Sequence, residues 1–576
     1  MAYKKILVTS ALPYANGHIH LGHIAGAYLP ADIYVRYQRL RGRKVLYIGG
    51  SDEYGVPITL TALKEGITPK EVIDRYHNAN AEAFQRLGIS YDIYGRTSWN
   101  LHIDTTQSFF KNLYNKKFIF VREMELWYST KTNRFLPDRY VKGQCPRCGY
   151  EDANGDECEK CGAQYTAKEL VNPRANIPGD TSTPILKTSL HWFLDLPQFK
   201  ERLMQWLETH PEWRSNVRGI ASSWINDLRP RCITRDTDWG VPIPLDHSEA
   251  QDKRIYVWFD APIGYVTNTR QWGIDKYDEP NAWEDWWKNP DTRLIHFIGK
   301  DNIPFHAVIF PAMLMGQDDF ILADNVVGNE YLNIFNRRTG KSEKGSKSKG
   351  NMIRVNWAID KLGTNPIRYY ICSIMPENKD SDFDWDEFRN HYNGELCDIV
   401  GNFIHRTLTM IMKNFDGRIP QPGVMDEVDK TMLESITSTK ESVAESIESF
   451  RFRLAQERWV DLARKANVYF DSKQPWATRK TDMERTATTL YVCAQIVKAL
   501  AILMNPFIPH GSANLCSIIN QEIKWQGPEG GDDVWDTIGE LLPVGFSLNE
   551  PKVLFPKLEP EFIEQLAEEH EKGLAS

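Results

Sequence analysis

Three groups of residues in this 576-residue chain could do chemistry. The first is His20-Leu21-Gly22-His23, within the string ALPYANGHIHLGH at 11–23. Two imidazoles can donate hydrogen bonds to phosphate oxygens. A helix starting here would add free backbone N–H groups and the positive end of its dipole. Gly22 has no Cβ and lets backbone or a flat ring approach closely. Alone, H-x-G-H is also an ordinary polar turn, because four residues recur by chance. The second group is RRTGKSEKGSKSK at 337–349, six Lys or Arg against one acid, interleaved with Gly and Ser. Such a loop can close over a polyphosphate, although most charge runs are solvated surface. The third is Cys145-Pro-Arg-Cys148 and Cys158-Glu-Lys-Cys161, two C-x-x-C pairs separated by nine residues, each followed by Gly. Four thiolates at this spacing suit tetrahedral zinc, and the glycines allow turns that aim N–H groups at sulfur. Four protein ligands leave no open position, so the implied zinc is structural.

These groups need elements to hold them. Residues 4–9 read as a buried strand and 11–22 as a loop rich in Gly, Pro and Asn. A helix follows, with Ile24, Ala27, Ala31, Tyr34 and Val35 at helical spacing. Pro30 lies inside it and should kink it or remove a hydrogen bond. Residues 44–49 read as a second strand. Strand, loop, helix, strand is the opening of a doubly wound α/β domain. Further strand-like runs lie at 255–259, 294–298 and 320–322. A loop-rich stretch from 117 to 235 carries the cysteine pairs and interrupts the pattern as an insertion. From Glu387 the text is helical, with segments 388–414, 428–447, 451–471 and 483–504 suggesting a bundle. The charged end, 559–576, reads as a frayed helix or linker.

Formal net charge is -8, which argues against a protein that coats nucleic acid non-specifically but leaves room for a local basic patch. No apolar run approaches the ~18 residues of a membrane helix, and the first residues read as a strand, not a secretory signal. Nine cysteines with no such signal point to a reducing compartment and a metal site, hence a cytoplasmic location.

His20-Leu21-Gly22-His23 and, some three hundred residues later, Lys344-Gly345-Ser346-Lys347-Ser348 together resemble the paired HIGH and KMSKS motifs of class I aminoacyl-tRNA synthetases. The longer string LPYANGHIHLGH is similar to the methionine-specific family. So are GGSDEYGVP at 49–57, FLPDRYVKGQCPRCG at 135–149, VWFDAPIGY at 257–265 and HFIGKDNIPFH at 296–306. The resemblance runs from residue 4 to about 510. It departs at Gly345, where the family's motif usually has Met.

The resemblance implies an α/β protein. A Rossmann-like parallel-sheet catalytic domain would span 1–116 and 236–335, with the zinc-containing connective domain inserted at 117–235. A KMSKS-type loop and stem-contact region (336–386), an α-helical bundle for anticodon binding (387–558) and a tail (559–576) would follow. It implies a methionine–tRNA ligase activity that forms methionyl-adenylate and pyrophosphate from methionine and ATP, with Mg2+ accompanying ATP, then charges the terminal ribose of tRNA-Met, initiator and elongator alike. Carried over residue by residue, His20, His23, Lys344 and Lys347 are catalytic. Gly22, Lys300, Asp301, Ser346 and Ser348 join them in holding ATP. Leu12, Tyr14, Asp52, Trp258, Ala261, Pro262, Tyr265, Phe305 and His306 form the methionine pocket. In it Asp52 pairs with the ammonium, and Tyr14 or His306 offers a weak hydrogen bond to sulfur. Asn402, Arg406 and Trp476 read the anticodon. Cys145, Cys148, Cys158 and Cys161 bind one zinc. Leucine-, isoleucine- or valine-specific relatives usually carry a larger editing insertion than 117–235, and a non-catalytic RNA-binding relative would be expected to have lost His20 or Lys347. The chain as it stands is expected to be a monomer.

Overall fold

The computed structural model describes residues 3–575 except 156, 157, 159, 162, 164, 338, 344, 346–350 and 525. Five strands form its central sheet: β1 (Lys5–Ser10), β2 (Lys44–Ser51), β3 (Ile93–Arg96), β4 (Thr292–Gly299) and β5 (Asn325–Asn329), in spatial order 5-4-1-2-3. All pairs are parallel. β1 is buried along its whole length, as a central parallel strand covered on both faces must be. Strand order reverses between β1 and β4. In a parallel sheet that switch point opens a crevice at the carboxyl ends of the strands.

Seven helices matter below: α1 (Leu29–Leu40), α2 (Val257–Tyr277), α3 (Asn402–Phe415), α4 (Glu427–Glu448), α5 (Phe452–Lys473), α6 (Met483–Leu503) and α7 (Pro560–Glu571). The segment ahead of α1 differs from expectation. A short α-turn, Leu21–His23, leads into a π-helical turn, Ile24–Tyr28, and Pro30 falls in the first turn of α1. The run from Leu21 to Leu40 is continuously helical, so Pro30 does remove one interior bond, as expected; the Ala25 carbonyl accepts from Asn329 Nδ2 at 2.9 Å instead, and the wider turn makes room for the ring.

Two strand expectations fail. Of the run 255–259 only Ile255 lies in a strand, the two-residue Arg254–Ile255; Tyr256 is extended and α2 begins at Val257. A short apolar run has the same composition in a buried helix as in a buried strand, and most residues from Val257 to Thr269 are buried. Residues 320–322 are irregular, and the strand follows them as β5. The C-terminal stretch is no frayed tail, since α7 buries Ile563, Leu566, Ala567 and His570.

Between β3 and α2, Ile119–Ser129 and Ile185–Leu194 pair as a long antiparallel ribbon. The cysteines lie in the smaller three-stranded unit beyond it. Helices α3 to α6 pack on one another as a bundle. By length and hydropathy α6 could cross a membrane, but it is buried from Thr486 to Leu503 as the helix shared by its neighbours.

Candidate active site

A cavity of about 350 Å³ opens at the switch point. The loop after β1 and the turn after β4 form its walls, as the crevice rule requires. One end is aromatic and deeply buried. Trp258 and Phe305 stack with centroids 3.9 Å apart and 14° between their planes. Tyr14 meets Trp258 edge-on at 6.1 Å. Leu12, Ala261, Pro262, Tyr265 and His306 complete this end. Trp258, Ala261, Pro262 and Tyr265 all come from the first turns of α2, so the helix replacing the expected strand is what brings them to one wall.

The tautomer of His306 follows from its partners. Its Nδ1–H donates to the carbonyl of Asn302 at 3.0 Å, so Nε2 accepts from the Tyr265 hydroxyl at 2.8 Å. Burial pushes the imidazole down to about 4, so it is neutral at pH 7. With both ring nitrogens engaged, His306 has no proton left to offer a sulfur atom, against the expectation. It orients Tyr265 instead.

Asp52 lies at the end of this wall, 2% exposed. Its backbone is fixed by Asp52 N–H to the Pro13 carbonyl at 2.9 Å and Ala15 N–H to the Asp52 carbonyl at 2.8 Å. Its carboxylate receives a long bond from Tyr54 N–H at 3.4 Å. Burial, and after it the charge of Asp260, holds Asp52 well above the usual carboxylate range. Asp260, wholly buried, pairs with His102 Nε2 at 3.2 Å. A carboxyl in this state is poised to take a cation.

The other end is the histidine turn. His20 and His23 stack at 3.8 Å, and His20 N–H donates to His23 Nδ1 at 3.3 Å. A Cβ on Gly22 would come within 3.0 Å of the His20 ring, so glycine is what lets that ring fold back. Both histidines line the cavity at the start of the helical segment, as expected for a phosphate-binding turn. The expected lysines and serines of the basic loop, Lys344, Ser346, Lys347 and Ser348, lie outside the described residues. Gly345 lines the cavity, and a Cβ there would meet Met352 at 3.3 Å. Asp301 also lines it. Lys300 does not: its ammonium pairs with Glu330 at 2.6 Å and Asp380 at 2.8 Å, and sits over the ring of Tyr331.

The four expected cysteines converge, their sulfurs within 4.8 Å of one another. Backbone N–H groups of Arg147 and Cys148 point at Cys145 Sγ, each at 3.4 Å, and Gly149 takes a positive φ of 72° in the turn. This is the tight N–H-to-sulfur turn that a thiolate zinc site needs.

Residues 6–408 match the family model "tRNA synthetases class I (M)", and 419–573 match "Anticodon binding domain of methionyl tRNA ligase". This chain belongs to the methionyl class I tRNA synthetases. The methionine–tRNA ligase of Bacteroides fragilis strain YCH46 is 44% identical, covering 98% of this chain and 80% of that protein. That of Porphyromonas gingivalis strain ATCC 33277 is also 44% identical, with the same coverage. A solved Mycobacterium tuberculosis methionyl-tRNA synthetase in complex with methionyl-adenylate aligns with TM-score 0.79 at 26% identity, over 96% of this chain and all of that one.

In the helical half of the synthetase, Arg406 on α3 lies over Phe470 at 4.5 Å and Trp476 at 5.5 Å, and pairs with Asp471 at 2.7 Å. Trp476 is 41% exposed. His405, Thr409 and Met410 share this surface pocket. Asn402 is exposed one helical turn earlier and does not line it. Sequence reasoning missed Phe470 and His405 here, and Glu330, Tyr331, Met352 and Ile353 at the synthetase cavity. Met352 and Ile353 follow the basic loop directly, which was the available signal. Glu330 and Tyr331 carry no motif and come from beyond the end of β5.

Proposed function

We propose that the cavity activates methionine with ATP and that the chain passes the methionyl group to tRNA-Met. The observation that carries this reading is that buried Asp52, with no cationic partner among the described residues, lines one cavity together with the Trp258–Phe305 stack and the histidine turn. The substrate ammonium would pair with Asp52 and complete its ionisation. The thioether would lie against Trp258 and Tyr265, since polarizable rings suit sulfur and shape must reject other apolar side chains. The methionine carboxylate then points toward the histidine turn. It attacks the α-phosphorus of ATP, forming the acyl–phosphate bond, while the bond to pyrophosphate breaks. His20 and His23 would stabilise charge on the phosphates, and Lys344 and Lys347 the leaving pyrophosphate, by positioning and electrostatics and not by covalent chemistry. Asp301 would help hold the nucleotide. Lys300 would act indirectly, tying Glu330 to Asp380 at the cavity edge. Mg2+ arriving with ATP supplies neutralising charge.

In the second step a ribose hydroxyl of the tRNA's terminal adenosine attacks the adenylate carbonyl and AMP leaves. Trp476 and Arg406 would engage an unpaired anticodon base by stacking and hydrogen bonding, with Asn402 on the same face of α3. The four cysteines fit one zinc, which would stabilise the small inserted unit and contribute no catalytic step.

ATP–pyrophosphate exchange across the amino acids tests the reading. Exchange dependent on methionine, lost in His23→Ala and Lys347→Ala, is expected. Exchange driven by leucine or valine would keep the fold and overturn the pocket.

A further inference from the structure

The far end of the chain is built into the back of the cavity. Helix α7 packs on the helix Trp385–His391. His570 at its end is buried, and burial lowers its pKa, so it is a neutral bridging group. His570 Nε2 donates to the carbonyl of Asn351 at 3.1 Å, and Nδ1 accepts from the Trp385 indole at 3.4 Å. Beyond it, the carbonyl of Ala575 accepts the N–H of Arg354 at 2.8 Å. Lys361 pairs with Glu569 at 2.9 Å. The segment 351–354 is therefore gripped from one side by the C-terminal helix and the turn after it.

Its other side belongs to the active site. Leu21 N–H donates to the Ile353 carbonyl at 3.0 Å, Val355 N–H donates to the Ile19 carbonyl at 3.2 Å, and His20 and Arg354 form a β-bridge. His20, Leu21, Met352 and Ile353 all line the cavity. A ladder of hydrogen bonds thus runs from the Ala575 backbone and the His570 side chain through 351–355 to the histidine turn. The same helix also holds Arg337, the first residue of the basic stretch, through Glu564 at 2.7 Å.

We propose that His570, with the turn ending at Ala575, is a positioning element for the nucleotide end of the cavity, acting through Asn351–Arg354 on His20 and Leu21. Backbone groups held to a few tenths of an ångström are what phosphate positioning demands, and small misplacement weakens it steeply. The methionine end, built from Leu12, Tyr14 and Asp52 with α2 and the turn after β4, makes none of the contacts described here, so the effect should fall chiefly on ATP. The proposal rests on the reading that the histidine turn receives ATP.

The test is methionine-dependent ATP–pyrophosphate exchange with the full chain, varying each substrate. His570→Ala is expected to raise the KM for ATP about fivefold or more, with the KM for methionine within about twofold of the parent. His570→Gln, which keeps a donor for the Asn351 carbonyl, should recover most of the loss. Trp385→Phe, which keeps the ring and deletes the indole N–H, should raise the KM for ATP about twofold and serves if His570→Ala does not fold. Glu568→Gln, on the same helix and paired locally with Lys572 among the described residues, should change nothing. An unchanged KM for ATP in whichever of His570→Ala and Trp385→Phe folds, or both KM values rising together without rescue by Gln, overturns the proposal. No exchange in the parent would instead sink the ligase reading itself.

Discussion

Two buried aspartates, one in each half of the molecule, have opposite fates. Asp429, at the start of α4 in the bundle, is fully buried and saturated with partners. Arg485 holds both its oxygens, at 2.6 and 2.8 Å, Tyr469 donates at 2.7 Å, and Lys473 lies at 3.1 Å. Burial alone would raise its pKa, but these donors outweigh burial and hold it far below the usual carboxylate range. Asp52 is as deeply placed, yet the partners described for it are a 3.4 Å backbone bond and the like charge of Asp260 nearby, and its pKa is pushed well up. A satisfied buried charge holds a structure together. One with no cation among the described residues marks where a cation is expected to bind.

The contrast can be broken in four ways, in order of decreasing effect. Asp429→Asn should destabilise the bundle by about 3 kcal/mol, because it removes the buried carboxylate that Arg485, Lys473 and Tyr469 share and leaves Asp426 alone to pair the two cations. Chemical denaturation would read this as a lower midpoint at unchanged slope. The parent's share of this stability is full above the unfolded carboxylate value near 4 and is lost as pH falls toward the depressed folded value. Asp52→Asn should lower kcat/KM for methionine about a hundredfold, the usual result of removing one partner from a buried charge pair.

The stability of Asp52→Asn should move the other way. A raised folded pKa means the parent's Asp52 favours folding only at low pH, and this is lost as pH rises from about 4 through the folded value. The variant should therefore match or exceed the parent's melting temperature at pH 8. Trp476→Ala should cut tRNA charging about tenfold while leaving pyrophosphate exchange intact, since a stacked base is worth ~1–3 kcal/mol. Exchange falling in parallel would show that the two halves are not separable in this way. Tyr265→Phe should raise the KM for methionine about fivefold by leaving His306 Nε2 without its donor.

Much of this was legible in the sequence because each motif carries its own geometry. The cysteine spacing specified the four-sulfur cluster, and the histidine turn fell between strand and helix as its residues required. What was not legible depended on neighbours far along the chain. The run 255–259 has the composition of a buried strand, and its helical state is set by packing on both sides. The wide turn that accommodates Pro30 leaves no local mark. Lys300 beside Asp301 suggested a nucleotide ligand, but Glu330 and Asp380, thirty and eighty residues away, claim its ammonium. Tyr14 or His306 was the expected donor to sulfur, and of the two His306 has its proton taken by the Asn302 carbonyl. The charged C-terminal run concealed Ile563, Leu566 and His570 at helical spacing on one face.

The most direct test of the central claim is to measure methionine affinity and melting temperature together for the parent and Asp52→Asn at pH 8. The account expects affinity to fall about a hundredfold while melting temperature holds or rises. Unchanged affinity, or affinity and stability falling together, would show that Asp52 is a structural carboxylate like Asp429 and not the seat of the substrate ammonium.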